Sequence, residues 1–106
     1  MKILFDQGTP APLRKHLAPH LVETAYEKGW SDFKNGVLLA LAETEGFDLL
    51  ITTDQSIRYQ QNLTGRQISI VVLLTTSWPR IKKRCDQIAA TIEQLPSGSY
   101  VEIAVP

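Results

Sequence analysis

The chain is short of cysteine, of histidine, of net charge and of long apolar runs, and each shortage removes a class of protein. Cys85 is the only cysteine, which excludes an intrachain disulfide and a cysteine zinc cluster. Such usage suits a reducing compartment. His16 and His20 are separated by Pro19, so they lack the spacing of a metal pair on one helix and read as surface residues. No segment approaches the ~18 apolar residues of a membrane helix. The apolar run Ile3 to Phe5 is far too short for a signal peptide, so a cytoplasmic, non-membrane protein is expected. Lys+Arg and Asp+Glu each number 11, which leaves no global basic field to attract nucleic acid. Neither a GxGxxG nor a Walker loop is present, which argues against a dinucleotide or P-loop site.

What the sequence does hold is enough apolar material for one ordinary domain: 106 residues, 43% of them hydrophobic, with no repeat and no linker. Residues 2–5 (KILF) read as a short buried strand, stopped by DQGTP. Thr9 caps a helix that carries Pro10 and Pro12 in its first turn and runs to about Leu17. Residues 21–25 (LVETA) form a weak second strand. A polar, Gly-flanked segment from Tyr26 to Gly36 follows and contains Trp30. NGVLLALAETE, residues 35–45, keeps helical spacing through Leu38, Leu41 and Ala42, and Gly46 stops it.

Residues 48–53 (DLLITT) are the third strand, with a helix over about 55–63 behind it. Residues 68–74 (ISIVVLL) are apolar on both faces, as a central parallel strand is. Thr76 or Ser77 caps a long helix with Pro79 in its first turn. Its buried stripe is Ile81, Cys85, Ile88, Ala89, Ile92 and Leu95. Residues 99–105 (SYVEIAV) alternate like an edge strand of either direction. Strands alternating with helices imply an α/β sandwich of three layers around a mainly parallel sheet of about five strands.

In such sheets ligands bind beyond the carboxyl ends of the strands, where strand order reverses. Asp6 ends strand 1 and Asp54 ends strand 3. If strands 2 and 3 flank strand 1, the topology brings the two carboxylates together across 48 positions of sequence. Two carboxylates in one crevice repel unless a proton or a cation neutralises them, and Mg²⁺ or Mn²⁺ is the fitting ion. The plainer role for either aspartate is a helix cap.

The stretches MKILFDQGTP, KGWSDFKNGVLLALAETEGFDLLITTDQ, RYQQNL and IVVLLTTSWPRI span nearly the whole chain, and they resemble the short PIN-like proteins. That family is described as predicted nucleases and as components of toxin–antitoxin modules. In it one acidic residue ends strand 1 and another ends the strand before a T-x-D-type turn, positions held here by Asp6 and Asp54. The resemblance implies a metal-dependent ribonuclease in which Asp6 and Asp54 hold Mg²⁺ or Mn²⁺, and Asn35 or Asp32 completes the shell. It also implies RNA as substrate, an antitoxin-like protein partner and a homodimer. The chain departs from the pattern at Gln7, where many relatives carry Glu, and at Asn35, where a further acid is expected. Glu43 is one more acidic candidate. With two carboxylates, weak metal affinity is expected. The alternative is a non-catalytic PIN-like module that binds a protein partner or nucleic acid; a phosphate- or nucleotide-binding regulator shares the same crevice.

Gln7, Thr53, Gln55, Arg58 and Trp30 are candidates for substrate contact. Arg58 suits a phosphate as a bidentate donor, or a surface ion pair. Trp30 suits base stacking, or packing on the domain. Gln60 and Gln61 suit phosphate or base contacts, or an exposed polar helix. The run Arg80-Ile81-Lys82-Lys83-Arg84 opens the last helix against its dipole, which suits an external anion, or is a solvated face. Cys85 lies on the apolar stripe as an inert buried thiol.

Overall fold

In the computed structural model, which describes residues 1–60 and 65–106 (Tyr59 and Gln60 by backbone only), five parallel strands form one sheet. They are β1 (Lys2–Phe5), β2 (Leu21–Thr24), β3 (Leu49–Thr52), β4 (Ser69–Leu73) and β5 (Tyr100–Ile103), in the order β2-β1-β3-β4-β5. The α/β class and the parallel five-stranded sheet follow the sequence pattern. β5, whose direction the sequence left open, pairs parallel to β4.

Period-two alternation explains how the sheet buries both faces. Ile3, Phe5, Leu49, Ile51, Val71 and Leu73 point to one face, where they meet Leu13, Leu17, Ile81, Cys85, Ile88 and Ile92. Leu4, Leu50, Ile70 and Val72 point to the other, against Leu39, Ala42 and Ile57. Every residue of β3 and β4 is buried, as a doubly covered parallel strand requires.

The helices depart from expectation in instructive ways. Residues Ala11–Leu17 form a 3-10 helix rather than an α-helix, and its cap position is Pro10, not Thr9. β2 stops at Thr24 because that residue caps a one-turn helix, α1 (Ala25–Lys28), within the segment expected to be irregular. Thr24 Oγ1 accepts from the Glu27 amide and Glu27 answers to the Thr24 amide, a capping box closed by Gly29 at φ 76°. Helix α2 (Asn35–Thr44) buries Leu38, Leu39 and Ala42, while Leu41 is only half-buried. Gly46, at φ 78°, ends it as expected. Of the helix foreseen over 55–63, α3 (Ile57–Gln60) is seen; Gln61 lies outside the described residues.

The single long helix is two: α4 (Trp78–Lys82), capped by Ser77, and α5 (Cys85–Glu93). Lys83 and Arg84 donate to carbonyls three residues back, which tightens the chain and turns it between them. Ile81, Cys85, Ile88 and Ile92 nonetheless stay buried on one side, which is why the periodicity hid the break. Arg80 and Lys82 therefore sit in the last turn of α4, where the dipole favours cations, while Lys83 and Arg84 stand at the start of α5, where the expected conflict with the dipole persists. Among the described residues no helix is long and apolar enough to cross a membrane.

Leu50 is fully buried at the middle of β3, so Leu50→Ala is expected to cost about 2–5 kcal/mol in urea unfolding. Val37→Ala, at a half-exposed position of α2, is expected to change stability by no more than about 0.5 kcal/mol.

Candidate functional site

β2 and β3 flank β1, so strand order reverses between β1 and β3, and the chain leaves both strands at their carboxyl ends. A cleft of about 530 Å³ opens there, lined by Asp6, Gln7, Ser31, Phe33, Lys34, Asn35, Leu38 and Asp54. Asp6 and Asp54 thus share one cavity, as the topology predicts, and Asn35, named from the resemblance, lines it with them.

Asp6 extends the pleat of β1. Phe5 pairs with Ile51, and the Asp6 amide donates to the Ile51 carbonyl at 3.2 Å, so Asp6 lies beside Thr52. The residue is 9% exposed. Thr9 Oγ1 donates to Asp6 Oδ1 at 2.7 Å, and also lies 2.9 Å from the Ile51 carbonyl. Thr52 Oγ1 donates to Asp6 Oδ2. Burial raises the Asp6 pKa above its ordinary value of 3.8, and the threonine hydroxyls offset part of that rise.

Asp54 is differently placed. Its Oδ1 accepts from the Ser56 amide at 3.0 Å and the Ser56 hydroxyl at 2.7 Å, and its Oδ2 accepts from Asn35 Nδ2 at 2.6 Å. The Ser56 hydroxyl is the main cause of a pKa held below 3.8, with the Ser56 amide and Asn35 adding to it. Asp54 therefore both closes the turn before α3 and presents an anion to the cleft. The two aspartates communicate through one atom: Thr52 Oγ1, donor to Asp6, accepts from the Asp54 amide at 3.0 Å.

The other candidates scatter. Gln7 lines the cleft. Thr53 sits beside it against Gly8, and Gln55 is exposed; neither lines the cleft. Asp32 is exposed and absent from the lining, although Ser31 and Phe33 on either side belong to it. Trp30 packs edge-on to Phe47, centroids 6.4 Å apart, with Lys28 Nζ 5.1 Å from its ring, and does not line the cleft. Arg58 lies 3.8 Å from Glu102. Glu43 pairs with Arg66 and borders a separate cavity with Met1, Asp48 and Ser69. Cys85 is buried, and burial raises its thiol pKa. Thr9, expected only as a helix cap, and Thr52 and Ser56, not singled out in the sequence, hold the aspartates; each stands within three positions of Asp6 or Asp54.

Among the described residues no group of three or more His, Cys, Asp or Glu side chains converges to hold a metal. Mg²⁺ does not require one: it is commonly held by one or two carboxylates together with water and substrate phosphate. Asp6 and Asp54 supply that minimum. An ion held by Asp6 would compete with the proton that burial favours there, so its affinity would rise with pH.

Two predictions follow from this geometry. A Cβ at Gly8 would meet Thr53 Oγ1 at 2.5 Å, so Gly8→Ala is expected to destabilise by about 1–3 kcal/mol, less in a Thr53→Ala background; a double-mutant cycle in urea checks the coupling. The second concerns pH. The raised Asp6 pKa means that the folded state holds this proton after the unfolded chain has released it. Wild-type stability should therefore fall relative to Asp6→Asn as pH rises from about 3.8 through the folded pKa, and level off above it. Unfolding curves of both proteins between acidic and neutral pH read that difference.

No family model matches the chain, and no curated protein or solved structure matches it significantly, so the functional reading rests on this cleft.

Proposed function

We propose that the protein is a PIN-like, metal-dependent phosphodiesterase acting on RNA, with Asp6, Asn35 and Asp54 at its centre. The observation that carries this reading is the convergence of those three side chains in one cleft at the carboxyl ends of β1 and β3. They are the positions at which the resemblance expects acidic residues.

Asp6 and Asp54 would hold Mg²⁺ or Mn²⁺, an ion commonly bound by one or two carboxylates together with water and substrate phosphate. The ion supplies a Lewis acid at the scissile phosphate and a more acidic bound water. Asn35 orients Asp54 by its 2.6 Å hydrogen bond, in place of a third negative charge. Thr9 and Thr52 orient Asp6.

One observation favours a second reading, a non-catalytic module binding RNA or protein. All four carboxylate oxygens already hold protein donors, so the cleft is internally satisfied without an ion.

RNA cleavage in Mg²⁺ or Mn²⁺, beside Asp6→Ala and Asp54→Ala, tests the first reading: each variant is expected to lose more than about 100-fold in rate. Unchanged residual activity in those variants sinks it. Thermal unfolding with Mn²⁺ separates the two readings. Under the first, Mn²⁺ raises Tm, and Asn35→Asp lowers Tm without the ion but enlarges the Mn²⁺ response. Under the second, Mn²⁺ leaves wild-type Tm unchanged.

A further inference from the structure

The cleft carries two side chains that its carboxylates do not explain. Phe33 is 45% exposed, so its ring is accessible to a ligand, and it lines the cavity that holds Asp6 and Asp54. Lys34, its neighbour, lines the same cavity and is exposed. Among the described residues Lys34 has no acidic partner, whereas Lys28 pairs with Glu45 and Arg14 with Glu27. The cleft thus sets an accessible ring and an unpaired ammonium beside a pair of aspartates. Leu38 gives the same cavity a second apolar wall.

We propose that Phe33 and Lys34 are positioning residues that restrict this cleft to unpaired nucleotides. The Phe33 ring stacks on a base next to the scissile phosphate, and the Lys34 ammonium contacts the backbone phosphate. The proposal rests on the RNA reading of the cleft. An aromatic ring accepts any base, because every base has a π-face, but only one that has left its helical stack. A duplex keeps its bases stacked and offers a protein only its phosphates and groove edges. Stacking therefore gives single-strand preference without sequence preference. Lys34 supplies a cation where two carboxylates would otherwise repel the backbone. Both residues stand in the turn just before α2, so the helix that places Asn35 on Asp54 also places the ring and the ammonium.

Fluorescence anisotropy with a labelled single-stranded RNA, and with the same RNA annealed to its complement, tests this in Ca²⁺ in place of Mg²⁺. Phe33→Ala is expected to weaken single-strand binding about 5- to 150-fold and leave duplex binding unchanged, with Phe33→Trp restoring it. Lys34→Ala is expected to weaken binding and reduce the slope of log affinity against log salt by about 0.7, while Phe33→Ala leaves the slope unchanged. Wild-type affinity in Phe33→Ala, or equal loss on single strand and duplex, overturns the proposal. RNA binding with this pattern but without cleavage in Mg²⁺ or Mn²⁺ upholds the proposal and defeats the phosphodiesterase reading. Cleavage that Phe33→Ala leaves untouched, with single-strand binding also untouched, upholds that reading and defeats the proposal. A wild type that binds neither RNA defeats the proposal outright.

Discussion

The candidate site depends on one buried hydroxyl. Thr52 is fully inaccessible to solvent and ends the most enclosed part of β3. Its Oγ1 donates to Asp6 and accepts from the Asp54 amide, so it is satisfied in both roles and fixes both aspartates. Register places it there. β1 and β3 pair with Phe5 opposite Ile51, so the next residues, Asp6 and Thr52, fall side by side. Alternation turns both toward the face that buries Leu4 and Leu50, which is the face α2 covers. Asp6 thus occupies the next place in a core column. A carboxylate there must be hydrogen-bonded to be tolerated, and Thr9 and Thr52 supply the bonds.

This arrangement separates two chemically identical groups. Burial dominates at Asp6 and favours its protonated form; donated hydrogen bonds dominate at Asp54 and favour its ionised form. With the two pKa values pushed apart, the cleft tolerates a pair of acids without a cation. The same separation sets the demands on any cation that enters. It finds one ready anion, and it must displace a proton from the other as conditions become more acidic.

The strands and the site were legible in the sequence for the same reason. Both follow from the order of short apolar runs and from what stands at their carboxyl ends. KILF before Asp6 and DLLITT before Asp54 fix the two aspartates once strand order is known; that order was a condition in the sequence and is supplied by the fold. What stayed hidden depends on geometry that periodicity does not encode. Ile81, Cys85, Ile88 and Ile92 keep helical spacing through the break at Lys83 and Arg84, so the pattern reads as one helix. Thr9 resembles a cap because it precedes prolines, yet its hydroxyl turns back to Asp6. Trp30 lies in the same polar segment as Phe33, but no spacing rule tells which ring turns to the cleft and which to Phe47.

Asn35 shows how the parts constrain each other. It holds the first position of α2, where the helix dipole favours an acidic side chain. A third carboxylate there would stand against Asp54, now 2.6 Å from the Asn35 amide nitrogen, and would need a resident cation to be stable. The carboxamide gives up the dipole's preference and in exchange donates a hydrogen bond that adds to Ser56 in favouring the ionised form of Asp54. The negative charge of the cleft is thereby capped at two, one of them weakened by burial, and beside it Lys34 has no acidic partner among the described residues. A cleft so balanced admits a phosphate more readily than one lined by four acids, and it holds a free cation less firmly. Under the proposed function, substrate and ion would act together here, the phosphate meeting the lysine and the ion the aspartates.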